Sequence, residues 1–182
     1  QAGIDSPDPS HVDANCDGID GQITQAWFVA TDGNDGAQAR GNIDDPFLTL
    51  TYAISRATSG DHIYLSEGVY TQVVTLKDGV SIWGGYSRAN AWARSTGYLS
   101  RIVVSTLTGG QLIGVIGLNL TSVMSVADLR IETADAAGTA VSNYGVHCTN
   151  CTALQLARVY VDAGTAGPGS AGGNGSFVGN GS

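Results

Sequence analysis

Lysine is all but missing from this chain: Lys77 stands alone, and the other basic residues are arginines scattered singly. With no basic patch to neutralise a run of phosphates, the sequence argues against nucleic acid and anionic membrane surfaces as partners. Charged residues of every kind make up only 13% of the 182 positions. Long apolar runs are also missing. The longest, "LIGVIGL" at Leu112–Leu118, falls far short of the roughly 18 residues a spanning helix needs. Cysteine is sparse and odd in number, with three copies, so the set cannot all pair internally. Cys148 and Cys151 form a CxxC that could be a local disulfide, a redox pair or half of a zinc site. Redox motifs open a helix after a strand, and nothing helical follows here. Zinc would need two more ligands, and His147 is only one. A small disulfide or two buried thiols is the expectation, with Cys16 left over.

What is abundant is glycine, at 26 copies, together with Val, Ser and Thr, in a chain of 42% hydrophobic residues. That balance excludes global disorder and fits a β-rich exported protein better than a helical cytosolic one. The start at Gln1, without Met, fits a mature protein after removal of an export signal, or a trimmed piece of a longer chain. A secreted or cell-surface location is expected, including the periplasm or the outer-membrane exterior. Charge is unevenly spread. Residues 1–61 hold ten Asp against Arg40 and Arg56, which accounts for the whole net charge of −8. Divalent cations are the natural partner of such a segment.

Residues 1–25 read as an acidic arm. Within it, "DANCDGIDG" places Asp13, Asn15 and Asp17 at alternate positions, then Gly18 and Ile19. These match places 1, 3, 5, 6 and 7 of an EF-type calcium loop, where three side chains and a main-chain carbonyl supply hard oxygens and Gly allows the turn. Place 8 is Asp20 and place 12 is Thr24, not a bidentate Glu, so a standard EF-hand is excluded. Further oxygens would come from Asp8, Asp5 or Asp20. The predicted ligand set is Asp8, Asp13, Asn15, Asp17, the Ile19 carbonyl and Asp20, with calcium as the cofactor. The bland alternative is a solvated acidic arm. "TDGNDG" at 31–36 offers Asp32, Asn34 and Asp35 as a weaker cation site, although turns use the same residues to bond their own backbone.

Regular structure begins with a strand in "AWFVA". One helix is expected over about 45–57, with Asp45 as N-cap, Pro46 in its first turn and Phe47, Leu50, Ala53, Ile54 and Ala57 at helical spacing. Short strands follow to residue 162, with few hairpin signals between them. The signature apolar-x-apolar recurs at Val80/Ile82, Ile102/Val104, Leu129/Ile131 and Val159/Val161, at intervals of 22, 27 and 30 residues. A constant strand signature with variable loops suggests a stack of parallel rungs. Residues 163–182 are a Gly-rich loop or tail, read as the truncation of a longer chain.

"PFLTLTYAI", "GDHIYLSEGVY" and "GVSIWGGYS" resemble the opening of bacterial right-handed parallel β-helix proteins of the pectate-lyase-like superfamily. "DANCDGIDG" is similar to thrombospondin-type calcium repeats. The resemblance implies an all-β, right-handed parallel β-helix solenoid, closed at its N-terminal end by one capping α-helix and preceded by the calcium arm. Enzymes of that fold use acidic calcium ligands with a Lys or Arg base, or clustered Asp residues. Here the acids beyond Tyr70 stand singly, and no catalytic group is expected. Trp83, Tyr86, Trp92 and Arg94 sit in one looped stretch, either as core and loop packing or as a contact for a glycan or protein. The functional expectation is a calcium-binding structural or adhesive protein with a cell-surface protein or glycan as partner. The alternative is a carbohydrate-binding or polysaccharide-degrading protein.

Overall fold

The computed structural model describes Gly3 and residues 5–173. Of the Gly-rich stretch, residues 174–182 lie outside the described residues. The strands in chain order are β1 (Ala26–Val29), β2 (His62–Ser66), β3 (Gly68–Tyr70), β4 (Val74–Thr75), β5 (Ser81–Ser87), β6 (Ala93–Arg94), β7 (Ser100–Val104), β8 (Leu112–Leu118), β9 (Met124–Ala127), β10 (Leu129–Thr133), β11 (Asn143–Thr149), β12 (Leu154–Ala157) and β13 (Tyr160–Ala163). A single helix, α1 (Leu50–Arg56), lies between β1 and β2.

The strands pair in three sheets: β1-β2-β5-β9-β12, β3-β7-β10-β13 and β4-β8-β11. All these pairs are parallel, and β6 joins the first sheet as an antiparallel partner of β5. The expected closed β-helix solenoid is corrected by this pairing. Hydrogen bonding runs within three separate sheets, and no ladder among the described residues joins one sheet to another. The chain builds a small sheet-rich domain with little helix. The physical reason is that an apolar-x-apolar pattern reports one buried face. It says nothing about closure of neighbouring sheets into a coil.

Register explains the core. Ile63, Ile82, Val126 and Leu156 pair in sequence across the first sheet. Tyr70, Ile102, Ile131 and Val161 do so in the second, and Val74, Val115 and Val146 in the third. Strand periodicity of two sends each row to one face, and the rows meet in a shared apolar core up to Val126 and Ile131, with Leu156 and Val161 of the last strands exposed. The recurring signature is thereby reassigned. Ile102 pairs with Ile131, and Ile131 with Val161, whereas Ile82 belongs to another sheet.

The helix starts later than the sequence suggests. Asp45 accepts the Arg40 N–H (3.2 Å), and Phe47 is extended, bridging to Val29. Its N–H donates to the Phe28 carbonyl (2.8 Å) and its carbonyl accepts the Ala30 N–H (2.9 Å). Pairing with the edge of β1 therefore outcompetes a first helical turn. Thr49 is the actual N-cap, accepting the Tyr52 N–H (3.2 Å). Leu50, Ala53 and Ile54 are the buried face of α1. The lone lysine closes the other end, with Lys77 Nζ donating to the Ala57 carbonyl at 2.5 Å, where the helix dipole favours a cation.

Two corners between the first and second sheets carry non-glycine residues in the left-handed region, Asp128 (φ 56°) and Arg158 (φ 53°). Both matter below. Cys148 and Cys151 are joined by a disulfide, and Cys16 is a free, exposed thiol.

Candidate functional site

The acidic loop lies against the first sheet. A second apolar cluster, separate from the main core, holds it there: Ile19, Phe28, Ala30, Tyr64, Tyr86 and Trp92. Ile19, the loop's large aliphatic residue, is only 2% exposed. Two phenols reach the loop backbone. Tyr64 Oη accepts the Gln22 N–H (2.9 Å), and Tyr86 Oη donates to the Asp20 carbonyl (2.6 Å). Burial pushes both phenols above their ordinary range, so both stay neutral, one as acceptor and the other as donor.

Inside the loop the alternate side chains cap its own backbone. Asp13 accepts the N–H groups of Asp17 (3.1 Å) and Gly18 (2.8 Å). Asn15 Oδ1 accepts the same Asp17 N–H (2.9 Å), which draws the Asp13 and Asn15 oxygens together. Asp17 accepts the N–H of Ile19 (3.3 Å) and of Ile23 (3.1 Å). Asn15 is buried, its amide donating to the Gly21 carbonyl at 3.1 Å. These bonds fix places 1, 3 and 5 of the predicted register around one turn.

The other proposed ligands lie elsewhere. Asp5 is buried and accepts the N–H groups of Ala14 (3.0 Å) and Gly21 (3.2 Å). Asp8 is exposed and accepts the Ser10 N–H (2.6 Å) and hydroxyl (2.5 Å). Those bonds to Ser10 hold its carboxyl below the usual range. Asp20 turns inward to Arg94 at 2.7 Å, with both side chains excluded from water. Among the described residues no group of three or more carboxylate, imidazole or thiol side chains converges as a metal site. A set made of Asp13, Asn15, Asp17 and the Ile19 carbonyl contains only two such groups. Its remaining oxygens are an amide and a main-chain carbonyl, both acceptable to calcium.

Arg94 is the hub the sequence did not disclose. Its Nη1 meets Asp20 Oδ2 and the Asp8 carbonyl (3.1 Å), its Nε donates to the Gly84 carbonyl (3.1 Å), and its Nη2 meets Asp128. The guanidinium also lies over the rings of Trp83 (5.4 Å) and Tyr86 (5.3 Å). Asp128 is held from its other side by Arg158 through two bonds (2.6 and 2.8 Å). Four alternating charges thus run from the loop to the corner between β12 and β13. Desolvation raises the Asp20 carboxyl, and Arg94 opposes that rise.

This placement changes the reading of the aromatic stretch. Tyr86, Trp92 and Arg94 are buried at 0%, 3% and 7% exposure, and Trp92 Nε1 donates to the Ile43 carbonyl (3.1 Å). Trp83 is half-buried beside them. The four predicted contact residues therefore form packing under the loop and offer no shared open face. The open concavity lies next door, a cleft of about 450 Å³ lined by Tyr98, Leu99, Asp128, Arg130, Arg158 and Tyr160 among others. One sequence signal pointed there. The recurring strings "VADLRIE" and "LARVYVD" place Asp128 and Arg158 at the same step, opposite charges at equivalent corners.

At "TDGNDG", Asp35 accepts the N–H groups of Leu48 (2.8 Å) and Thr49 (3.3 Å) and the Thr49 hydroxyl (2.6 Å). Asp32 pairs with Arg88 at 2.7 Å, and Asn34 accepts the Gly36 N–H (2.8 Å). The residues serve turn and helix entry. No helix of the described residues is long and apolar enough to cross a membrane. Comparison with family models, curated proteins and solved structures finds no match to this chain.

Proposed function

We propose that this chain is a structural or adhesive module of an exported protein, in which calcium completes the loop at Asp13, Asn15, Asp17 and Ile19. The supporting observation is the capping pattern inside the loop. Places 1 and 3 both accept the N–H of place 5, and place 5 accepts that of place 7. Such a pattern presents hard oxygens around a turn closed by glycine, the chemistry calcium selects. Imidazole and thiol groups stand outside the alternation, which disfavours softer metals. Asp20 takes a different role from its neighbours. It clamps the loop to the sheet through Arg94, so an ion at the loop would rigidify an element already docked. The partner of such a module would be a protein or glycan at the cell surface.

Calcium titration against chelator tests the reading. Calcium at about a hundred times its dissociation constant should add about 2.7 kcal/mol to stability, seen as a rise in melting temperature. Protease cleavage within residues 1–25 should appear in chelator and vanish with calcium. Asp17→Ala should abolish both responses while leaving the strands folded by circular dichroism. A melting temperature and cleavage pattern indifferent to calcium would overturn the calcium site.

A further inference from the structure

We infer that the cleft beside the Arg94 network is a binding site for a neutral oligosaccharide. The inference rests on the adhesive reading above and names its partner, but it makes no use of the calcium loop.

The cleft lies on the solvent face of the second sheet, and its walls come from successive levels of the chain. Nine of its eleven lining residues lie between Gly85 and Arg130, so inner strands and their corners build it. Arg130 and Tyr160 are register partners. They stand one position from the buried Ile131 and therefore point outward. Another wall is the turn after β6. There the Tyr98 N–H donates to the Ser95 carbonyl (3.2 Å), and the Gly97 N–H to the Ser95 hydroxyl (3.2 Å). That turn leaves Tyr98 half-buried and Leu99 exposed. A third wall is the corner at Asp128, which rests directly on β5. It can do so because residue 84 is glycine: a Cβ there would fall 2.3 Å from the Asp128 carbonyl.

The lining has the character of a small-ligand site, apolar surface with a few fixed polar groups, and the volume of about 450 Å³ suits one. Tyr98, Leu99, Leu129 and Tyr160 supply the apolar part. A sugar ring carries a face of C–H groups that an aromatic ring can take by stacking. The Tyr160 ring is 59% exposed, and the Arg130 guanidinium, 4.7 Å from its centroid, holds it in place.

The polar part is rigid and balanced in charge. Asp128 and Arg158 occupy left-handed corners (φ 56° and 53°), a conformation that costs stability in non-glycine residues and gathers at ligand sites. Asp128 is held by Arg94 and Arg158, and Arg130 lies 2.7 Å from Glu132 and 3.4 Å from Asp162. An ionic ligand would have to break these pairs to be paired itself. Hydroxyl groups both donate and accept, so they can bridge the pairs without parting them. An apolar ring face with a rim of hydroxyls meets both halves of the cleft.

A glycan array carrying neutral and acidic oligosaccharides tests this, followed by calorimetric titration of the neutral oligosaccharide that is retained. Tyr98→Ala and Tyr160→Ala should each weaken that binding by about tenfold, the loss of one stacked ring. Neither ring is in the buried core, so the melting temperature should hold in both variants. Amide shifts on titration should fall at residues 95–100, 128–130 and 158–160. An array without a neutral binder, stronger retention of acidic oligosaccharides, or tyrosine variants that bind as the unsubstituted chain does would each overturn the inference. A blank array with the calcium response intact would remove the cleft's ligand alone. Glycan retained by a chain indifferent to calcium would remove the loop's ion alone.

Discussion

Arg94→Ala should destabilise the protein by about 3–5 kcal/mol, because it leaves a buried carboxylate without its countercharge. For a chain of this size that corresponds to a fall in melting temperature of roughly 10 °C. The effect follows from an asymmetry between the two acids that Arg94 holds. Asp128 keeps Arg158 when Arg94 is removed. Asp20 keeps only the Asp8 N–H at 3.3 Å, with 1% of its side chain in contact with water. Arg94→Lys should rescue little, since an ammonium cannot reproduce the planar fork that reaches Gly84, Asp20, the Asp8 carbonyl and Asp128 together. The pH dependence separates a lost charge pair from lost packing. In the variant the raised Asp20 carboxyl loses the guanidinium that opposes the rise. A carboxyl raised in the folded state binds its proton more tightly there than in the unfolded chain. Stability is therefore greatest below the unfolded-state carboxylate range and falls as pH climbs to the folded-state value. The deficit of the variant should shrink as pH is lowered toward that range. A deficit constant from neutral pH to pH 4 would mean that packing alone accounts for it.

Much of the strand content is legible in the residues, because burial on one face writes an alternating pattern whatever the topology. "AWFVA", "HIYLS", "LIGVIGL" and "LRIET" all carry strands where the pattern places them. Which strand joins which sheet is not written there. Ile82 and Ile102 have the same apolar-x-apolar setting and go to different sheets, since that choice is made at the intervening corners. The helix start shows a second limit. Asp45 and Pro46 have the chemistry of an N-terminus, but the open edge of β1 competes for the Phe47 backbone and wins. Thr49, with an ordinary capping hydroxyl, takes over. In the acidic loop, the turn that Asp13, Asn15 and Asp17 build was readable because their hydrogen-bond partners lie within six residues. Asp20 was not, because its partner lies 74 residues away. Reading it as a ligand used its position in the loop, whereas its environment is set by Arg94.

Phe28→Ala should cost about 3–5 kcal/mol and should also loosen the acidic loop, which makes it more informative than an equal cavity elsewhere. Phe28 is fully buried, edge-on to Tyr64 (5.5 Å between ring centroids) and to Trp92 (4.7 Å). Tyr64 in turn stacks on Tyr86 at 4.8 Å, and these two phenols hold Gln22 and Asp20 by their hydroxyls. Ile19 shares the same cluster. Truncating Phe28 removes the ring on which Tyr64 and Trp92 are set, so the bonds to the loop backbone lose their fixed donors and acceptors. Ile131→Ala is the matched control. It opens a cavity in the main core, where Ile131 is fully buried, with an expected cost of about 2–5 kcal/mol. Limited proteolysis at a temperature where both variants remain folded should then cut residues 13–25 in Phe28→Ala and spare them in Ile131→Ala. Equal protection of the loop in the two variants would show that its own hydrogen bonds hold it without the aromatic platform. Equal cutting would show that the two cores unfold as one unit, the loop following whichever is weakened.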